Sequence, residues 1–198
     1  MSFKVKDHYF KKAKKENFYA RSVYKLEEVD QKFKVLNKND QVLDLGYHPG
    51  SWVQYTAKKV GPQGNVYGID IKPVNEKLEI SQNVHLWEKD VFSLNSYEDL
   101  GCTKPFDVVL SDMAPNTTGI RDVDQIRSLE LVEKIIRILP IILKPGGHTV
   151  IKIFDSHDAQ EFLKTIKGQF SEFKKLKPKS TRSVSKEFFM IGKGYKGN

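Results

Sequence analysis

The sequence predicts an α/β fold in which a mostly parallel, seven-stranded sheet carries helices on both faces. Seven short apolar runs recur along the 198 residues, and segments of helical periodicity separate most of them, which implies right-handed crossovers between parallel strands. The first run opens into a loop with two glycines, the arrangement an open α/β sheet places at its ligand crevice. Acidic residues then stand at or near the ends of four successive runs.

In chain order, Val23, Leu26, Val29 and Phe33 recur at helical spacing and predict an amphipathic helix over about residues 19–35, with Lys25 bordering its apolar stripe. Residues 42–45 form the first strand, and Gly46 and Gly50 in the loop beyond it let the backbone approach a ligand closely. A short helix after Trp52 runs to Val60 and stops at Gly61-Pro62. Strands follow at 66–69, 84–87 and 106–110. Leu129, Val132, Ile135, Ile136, Leu139 and Leu143 mark the longest helix; Pro140 should bend or shorten its last turn, and Pro145-Gly146-Gly147 should end it. The fifth strand is 148–154. A helix from Asp158 to about Gly168 comes next, capped by Asp158 or Ser156, then a strand near 173–176 and a last strand at 187–191.

What the first loop lacks narrows its ligand. Neither a G-x-G-x-x-G dinucleotide signature nor a G-x-x-x-x-G-K-[ST] phosphate cradle is present, only Gly46-x-x-x-Gly50. Asp44 lies in the first strand, Asp70 ends the second, Asp90 follows the third and Asp112 follows the fourth. One such acid reads as a cap or a solvated loop residue. Four in series, facing an amino-acid ammonium, ribose hydroxyls and an adenine amino group, describe S-adenosylmethionine.

Composition bounds the partners. The length suits one substantial core, and the lone Cys102 excludes an internal disulfide framework and a cysteine-based zinc site, so no metal is expected. No apolar run has the length of a membrane span, and no signal-peptide core is present, so no membrane partner is expected. Charge is uneven: residues 1–38 carry 11 Lys+Arg against 5 Asp+Glu, residues 164–198 carry 10 against 2, and residues 39–163 carry 12 against 18. Basic ends around an acidic middle suggest a phosphate-binding surface assembled from both termini. Tyr9, Phe10, Phe18, Tyr19, Tyr24, Phe170 and Phe173 interleave those ends, either as core residues or as stacking platforms for bases.

Three polar residues bound or interrupt buried patterns: Lys152 inside the fifth strand, Glu187 opening the last, and Asp112 ending the fourth. A lysine in a central strand is costly unless it is paired or faces a cavity. Read as structure alone, Lys152 would pair with Asp112; with Lys25 joining from the first helix, the set becomes two cations and two anions in one pocket.

These segments resemble the FtsJ/RrmJ (RlmE-type) family of RNA ribose 2′-O-methyltransferases over almost the whole chain. The matching stretches are Lys11-Lys12-Ala13-Lys14, Ala20 to Leu26, Asp44 to Trp52, Ser111-Asp112-Met113-Ala114-Pro115-Asn116, Val150-Ile151-Lys152 and Ser185-Lys186-Glu187. The resemblance implies a Rossmann-like class I methyltransferase, a catalytic tetrad at Lys25, Asp112, Lys152 and Glu187, and cofactor contacts at Gly46, Gly50, Ser51, Trp52, Asp70, Asp90 and Asp112. It further implies a single domain over 1–198, with 1–38 a basic extension and helix and 39–198 the cofactor-binding and catalytic body. Ser111 to Asn116, continued by Thr118 to Asp122, is similar to the branch acting on large-subunit ribosomal RNA, with a uridine as target and ribosomal RNA or the large subunit as partner of a monomeric enzyme. Tyr47 and His48 depart from the two small residues usual in the family's loop, which should reshape the methionine end of the pocket; His48 is read as a loop residue.

The chemistry is consistent from below. A ribose hydroxyl is a weak nucleophile and a sulfonium a strong methyl donor, so the enzyme must align the two and manage one proton. Lys152 is the candidate acceptor: desolvation and the like charge of Lys25 favour its neutral form, while Asp112 opposes that and holds the amine in place. Glu187 would orient Lys25 or the hydroxyl. The alternatives are a transfer-RNA or mRNA-cap ribose methyltransferase and a non-catalytic RNA-binding module. A base-nitrogen methyltransferase lacks its Asn/Asp-Pro-Pro-aromatic motif, a 5-methylcytosine enzyme lacks a cysteine at the site, and a dehydrogenase lacks the dinucleotide loop. The compartment is left open: cytoplasm for a bacterial source, mitochondrion, another organelle or cytoplasm for a eukaryotic one.

Overall fold

A computed structural model describes residues 8–75, 78, 81–182 and 184–197; residues 1–7 of the expected basic extension lie outside it. Seven strands form one sheet: β1 (Gln41–Leu45), β2 (Asn65–Asp70), β3 (Val84–Glu88), β4 (Phe106–Ser111), β5 (Leu143–Phe154), β6 (Phe170–Leu176) and β7 (Glu187–Tyr195). Their order is β3-β2-β1-β4-β5-β7-β6, so the sheet reverses its winding between β1 and β4. All neighbouring pairs from β3 to β5 are parallel, and β7 is antiparallel to both β5 and β6. The physical reason for the exception is the link between β6 and β7, which contains no helix among its described residues to carry a crossover.

Alternation along the strands sorts side chains onto two faces. Leu43, Leu45, Val109, Ile151 and Phe188 meet α4 (Arg121–Ile142) and α5 (His157–Ile166) on one side. Val42, Val108, Leu110, Val150 and Phe189 meet α2 (Val23–Phe33) and α3 (Ser51–Val60) on the other. A further helix, α1 (His8–Lys15), docks on α2: Ala13 is buried, the Tyr9 and Tyr24 rings lie 5.5 Å apart, and Tyr24 donates to Glu16 at 2.8 Å. The basic extension was not expected to be helical. Of the aromatics flagged in the basic ends, Tyr24 and Phe170 are core residues, whereas Phe10 and Tyr19 are exposed.

The long helix departs most from the sequence reading. α4 begins two turns earlier than its apolar periodicity shows, and it continues past Pro140 to Ile142. Pro145-Gly146-Gly147 does not separate helix from strand but lies inside β5 as a bulge, exposed at Pro145 and Gly146 and buried at Gly147, where the register with β4 slips between Phe106 and Val108. α5 is capped by Ser156, whose hydroxyl accepts from Ala159 N at 3.1 Å, and not by Asp158. Among the described residues no helix is long and apolar enough to cross a membrane.

Candidate active site

Strand parity assembles the charged set. Lys152 is two residues beyond Val150, Asp112 two beyond Leu110 and Glu187 two before Phe189, so all three stand on the face that α2 covers, and α2 supplies Lys25. Lys152 Nζ lies 2.9 Å from Asp112 Oδ1 and also donates to the Asp112 main-chain carbonyl. Lys25 Nζ lies 3.6 Å from the same Oδ1 and 2.5 Å from Glu187 Oε1. The four side chains are only 7–17% exposed, so two cations and two anions neutralise one another in a nearly dry site. All four residues of the expected tetrad therefore meet.

A cavity of about 640 Å³ opens beside Asp112, outside the carboxyl ends of β1, β2, β3 and β4. Gly46, Asp70, Asp90 and Asp112, four of the residues the resemblance assigns to the cofactor, line it. Ile71 and Phe92, 60% and 53% exposed, also line it and offer apolar faces to a flat ring, while Lys72, Lys89 and Arg127 bring cations. Acids, cations and apolar faces together fit a ligand that joins an adenine, a ribose and a zwitterionic amino acid. Asp70 is fixed by two main-chain donors, His48 N at 3.1 Å and Lys72 N at 2.9 Å, whereas Asp90 spends one oxygen capping a short turn through Phe92 N.

Three residues assigned to the cofactor do not line this cavity. A Cβ on Gly50 would meet Leu78 at 2.7 Å, because Leu78 lies over the loop. Ser51 Oγ is bonded to Ser22 Oγ at 2.9 Å, and Trp52 Nε1 donates to Ser22 O at 2.8 Å, with its ring 5.7 Å from that of Phe189. Their side chains are spent on seating α2, and with it Lys25, against α3. Tyr47 is likewise turned away; its ring is buried against β2, where Gly68 leaves room, so only His48 of the unusual pair reaches the cavity. Asp44 does not line it either. Both its oxygens are buried without a hydrogen-bond partner, and burial, then the like charges of Asp112 and Asp70, push its carboxyl well above the ordinary range.

Two functional side chains escaped the sequence reading. Asp124 accepts from Thr118 N at 2.7 Å, Thr118 Oγ1 at 3.0 Å and Gly119 N at 3.2 Å, and Arg127 donates to Asn116 O at 3.3 Å. The main-chain bond from Thr118 leads the causes that hold the Asp124 carboxyl below its ordinary value. Next to Asp124, Gln125 donates to Asp155 O, and one turn on Ser128 Oγ accepts from Phe154 N. The polar first turns of α4 thus tie down both the loop after β4, which carries Asp112, and the end of β5, which carries Lys152. Their only sequence signal is the turn Thr118-Gly119 followed by an acid.

The family profile described as FtsJ-like methyltransferase matches residues 18–195. The chain is 46% identical over 192 residues to the ribosomal RNA large subunit methyltransferase E of Bdellovibrio bacteriovorus, covering 97% of this chain and 98% of that one. It is also 46% identical over 196 residues to the same-named protein of Oleidesulfovibrio alaskensis, covering 98% and 94%. A solved structure described as a ribosomal RNA methyltransferase of Plasmodium falciparum superposes with a TM-score of 0.77 at 27% identity, covering 91% of this chain and all of that one.

Two measurements check this description. Because the folded Asp44 carboxyl titrates above its unfolded value of about 4, its contribution to stability is complete below that pH and is lost as pH rises through the folded value. Asp44→Asn should therefore raise the melting midpoint of the ligand-free protein at neutral pH and leave it unchanged near pH 3; a difference that does not vary with pH would refute the assignment. Asp124→Ala should weaken S-adenosylmethionine binding by about tenfold, the equivalent of losing one charge-assisted hydrogen bond that shapes the loop. Unchanged affinity by calorimetry would show that the loop holds its shape without that carboxylate.

Proposed function

The chain belongs to the FtsJ-like methyltransferase family, and on that footing we propose that it transfers the methyl group of S-adenosylmethionine to the ribose 2′-hydroxyl of a uridine in large-subunit ribosomal RNA. The observation that carries the reading is the sharing of the Asp112 carboxylate by Lys152 and Lys25 at the edge of the cavity, because this brings a proton acceptor to the place where an alcohol would meet a methyl donor. S-adenosylmethionine, when bound, supplies a methyl group activated by its sulfonium; Gly46, Asp70, Asp90 and Asp112 would hold it. Lys152 takes the hydroxyl proton on Nζ after giving up its own proton to solvent, while Asp112 keeps that nitrogen in position. Lys25, held by Glu187, orients the hydroxyl and stabilises negative charge on its oxygen as the proton leaves.

The relatives named for the large ribosomal subunit support that substrate, and the run from Ser111 to Asp122 supports a uridine. The basic ends support RNA as partner, and they adjoin in the fold: Arg21 donates to Ser180 O at 3.1 Å, and Lys179 N donates to Glu28 at 2.8 Å. We take the enzyme to act as a monomer and a single domain, without a metal; the bacterial relatives favour a cytoplasmic setting.

Lys152→Ala should abolish methyl transfer in single-turnover assays yet leave a folded protein that binds cofactor, since Asp112 keeps Lys25 as a counter-ion. A near-normal rate would remove Lys152 from the proton-acceptor role. With labelled cofactor offered in parallel with unmodified large ribosomal subunits and with transfer RNA, digestion to nucleosides should place the label in 2′-O-methyluridine from the subunits. Label in a base would overturn the reaction class, and label only in transfer RNA ribose would overturn the substrate.

A further inference from the structure

The four charges of the active site cancel, so the site itself offers no net attraction to a polyanion. The attraction must come from beside it. Residues 177–186, which link β6 to β7 with no helix among the described residues, carry Lys177, Lys179, Arg182 and Lys186 and no acid, and run directly into Glu187. This link is built and not merely extended. Thr181 N donates to Pro178 O at 3.0 Å, Ser185 N to Arg182 O at 3.0 Å, and Lys177 Nζ to Ser185 O at 2.6 Å. It is pinned to α2 through Arg21 and Glu28, and to the end of β5 through Asp155 N and Lys186 O at 2.9 Å. The side-chain cations of Lys179, Arg182 and Lys186 form no salt bridge among the described residues, and Glu28 meets Lys179 only through its main-chain nitrogen. Burial, then the like charge of Arg182, lower the pKa of Arg21 against the opposing pull of Glu187, which sets the two guanidiniums and the active-site carboxylate within one field. Like charges held together on a braced loop are a cost to the free protein, and one that an anionic ligand would relieve.

We propose that the loop between β6 and β7 binds a phosphodiester, with Arg182 as its principal ligand and Lys179 and Lys186 flanking, and that it holds the RNA backbone phosphate next to the ribose presented to Lys152. The position of that phosphate rests on the ribose-methylation reading; the binding of RNA by the loop does not. Bracing suits the task, because a pre-set guanidinium fork takes a phosphate with little loss of side-chain freedom.

The test uses the full chain and a fluorescein-labelled single-stranded RNA, with affinity followed by anisotropy across a salt series. Arg182→Glu should weaken binding about tenfold and lower the slope of log affinity against log salt by about one phosphate contact. Lys164→Glu, the same charge change on α5, should do neither, and calorimetry with S-adenosylmethionine should find both variants folded with unchanged cofactor affinity. With large subunits as substrate, Arg182→Glu should raise KM and spare kcat. Equal behaviour of Arg182→Glu and Lys164→Glu in RNA binding would overturn the loop assignment. Loss of RNA affinity in Arg182→Glu, together with no ribose methylation by the unaltered protein, would instead keep the loop and overturn the reaction.

Discussion

Everything at this site depends on one carboxylate that two ammonium groups share. Asp112 sits where β4 runs out, and its Oδ1 is the point at which Lys152 from β5 and Lys25 from α2 come together. Neither lysine could stay in so dry a place unpaired, and a single acid could not offset two of them, which is why Glu187 must close the set from β7. Three strand ends and one helix are thereby fixed relative to one another by charge balance.

The rest of the structure can be understood as support for that arrangement. α2 carries Lys25 but has no strand register to hold it, so the hydrogen bonds from Ser51 and Trp52 to Ser22 take that part, and the Trp52 ring fills the space above Phe189. The loop after β4 has no secondary structure of its own, so Asp124 and Arg127 hold it from α4. The unpartnered Asp44 is a different case. Its carboxyl lies in β1 between the elements that bear Asp70 and Asp112, and an ionised group there would add a third negative charge with no donor to meet it.

Much of this was legible from residue order. The runs at 42–45, 66–69, 84–87 and 106–110 are strands whose core extents the structure lengthens by one or two residues, because their apolar stretches are short and bounded by polar or turn residues. Lys152 stood out because a charged residue within a central apolar run demands a partner. The first two turns of α4 did not stand out. Residues 121–128 are mostly polar and half-exposed, and a helix that binds loops instead of packing a core leaves no apolar period to read. The Pro145-Gly146-Gly147 segment misled for the opposite reason, since turn residues mark a break in backbone regularity and cannot say whether a loop or a bulge makes it.

The sequence by itself determined the α/β class, the identity of the charged residues and the parity that puts Lys152, Asp112 and Glu187 on one face, because strand alternation is a local property of the chain. Only the tertiary structure decided which of the glycine-loop residues face the cavity. Gly50, Ser51 and Trp52 follow Gly46 in the same motif, yet their space and hydrogen bonds are taken by Leu78, 28 positions from Gly50, and Ser22, 29 positions from Ser51. Motif spacing records that a residue stands near a ligand's end of the sheet. Which way its side chain turns is settled by long-range competition for packing and for hydrogen-bond partners, and that competition has no local signature.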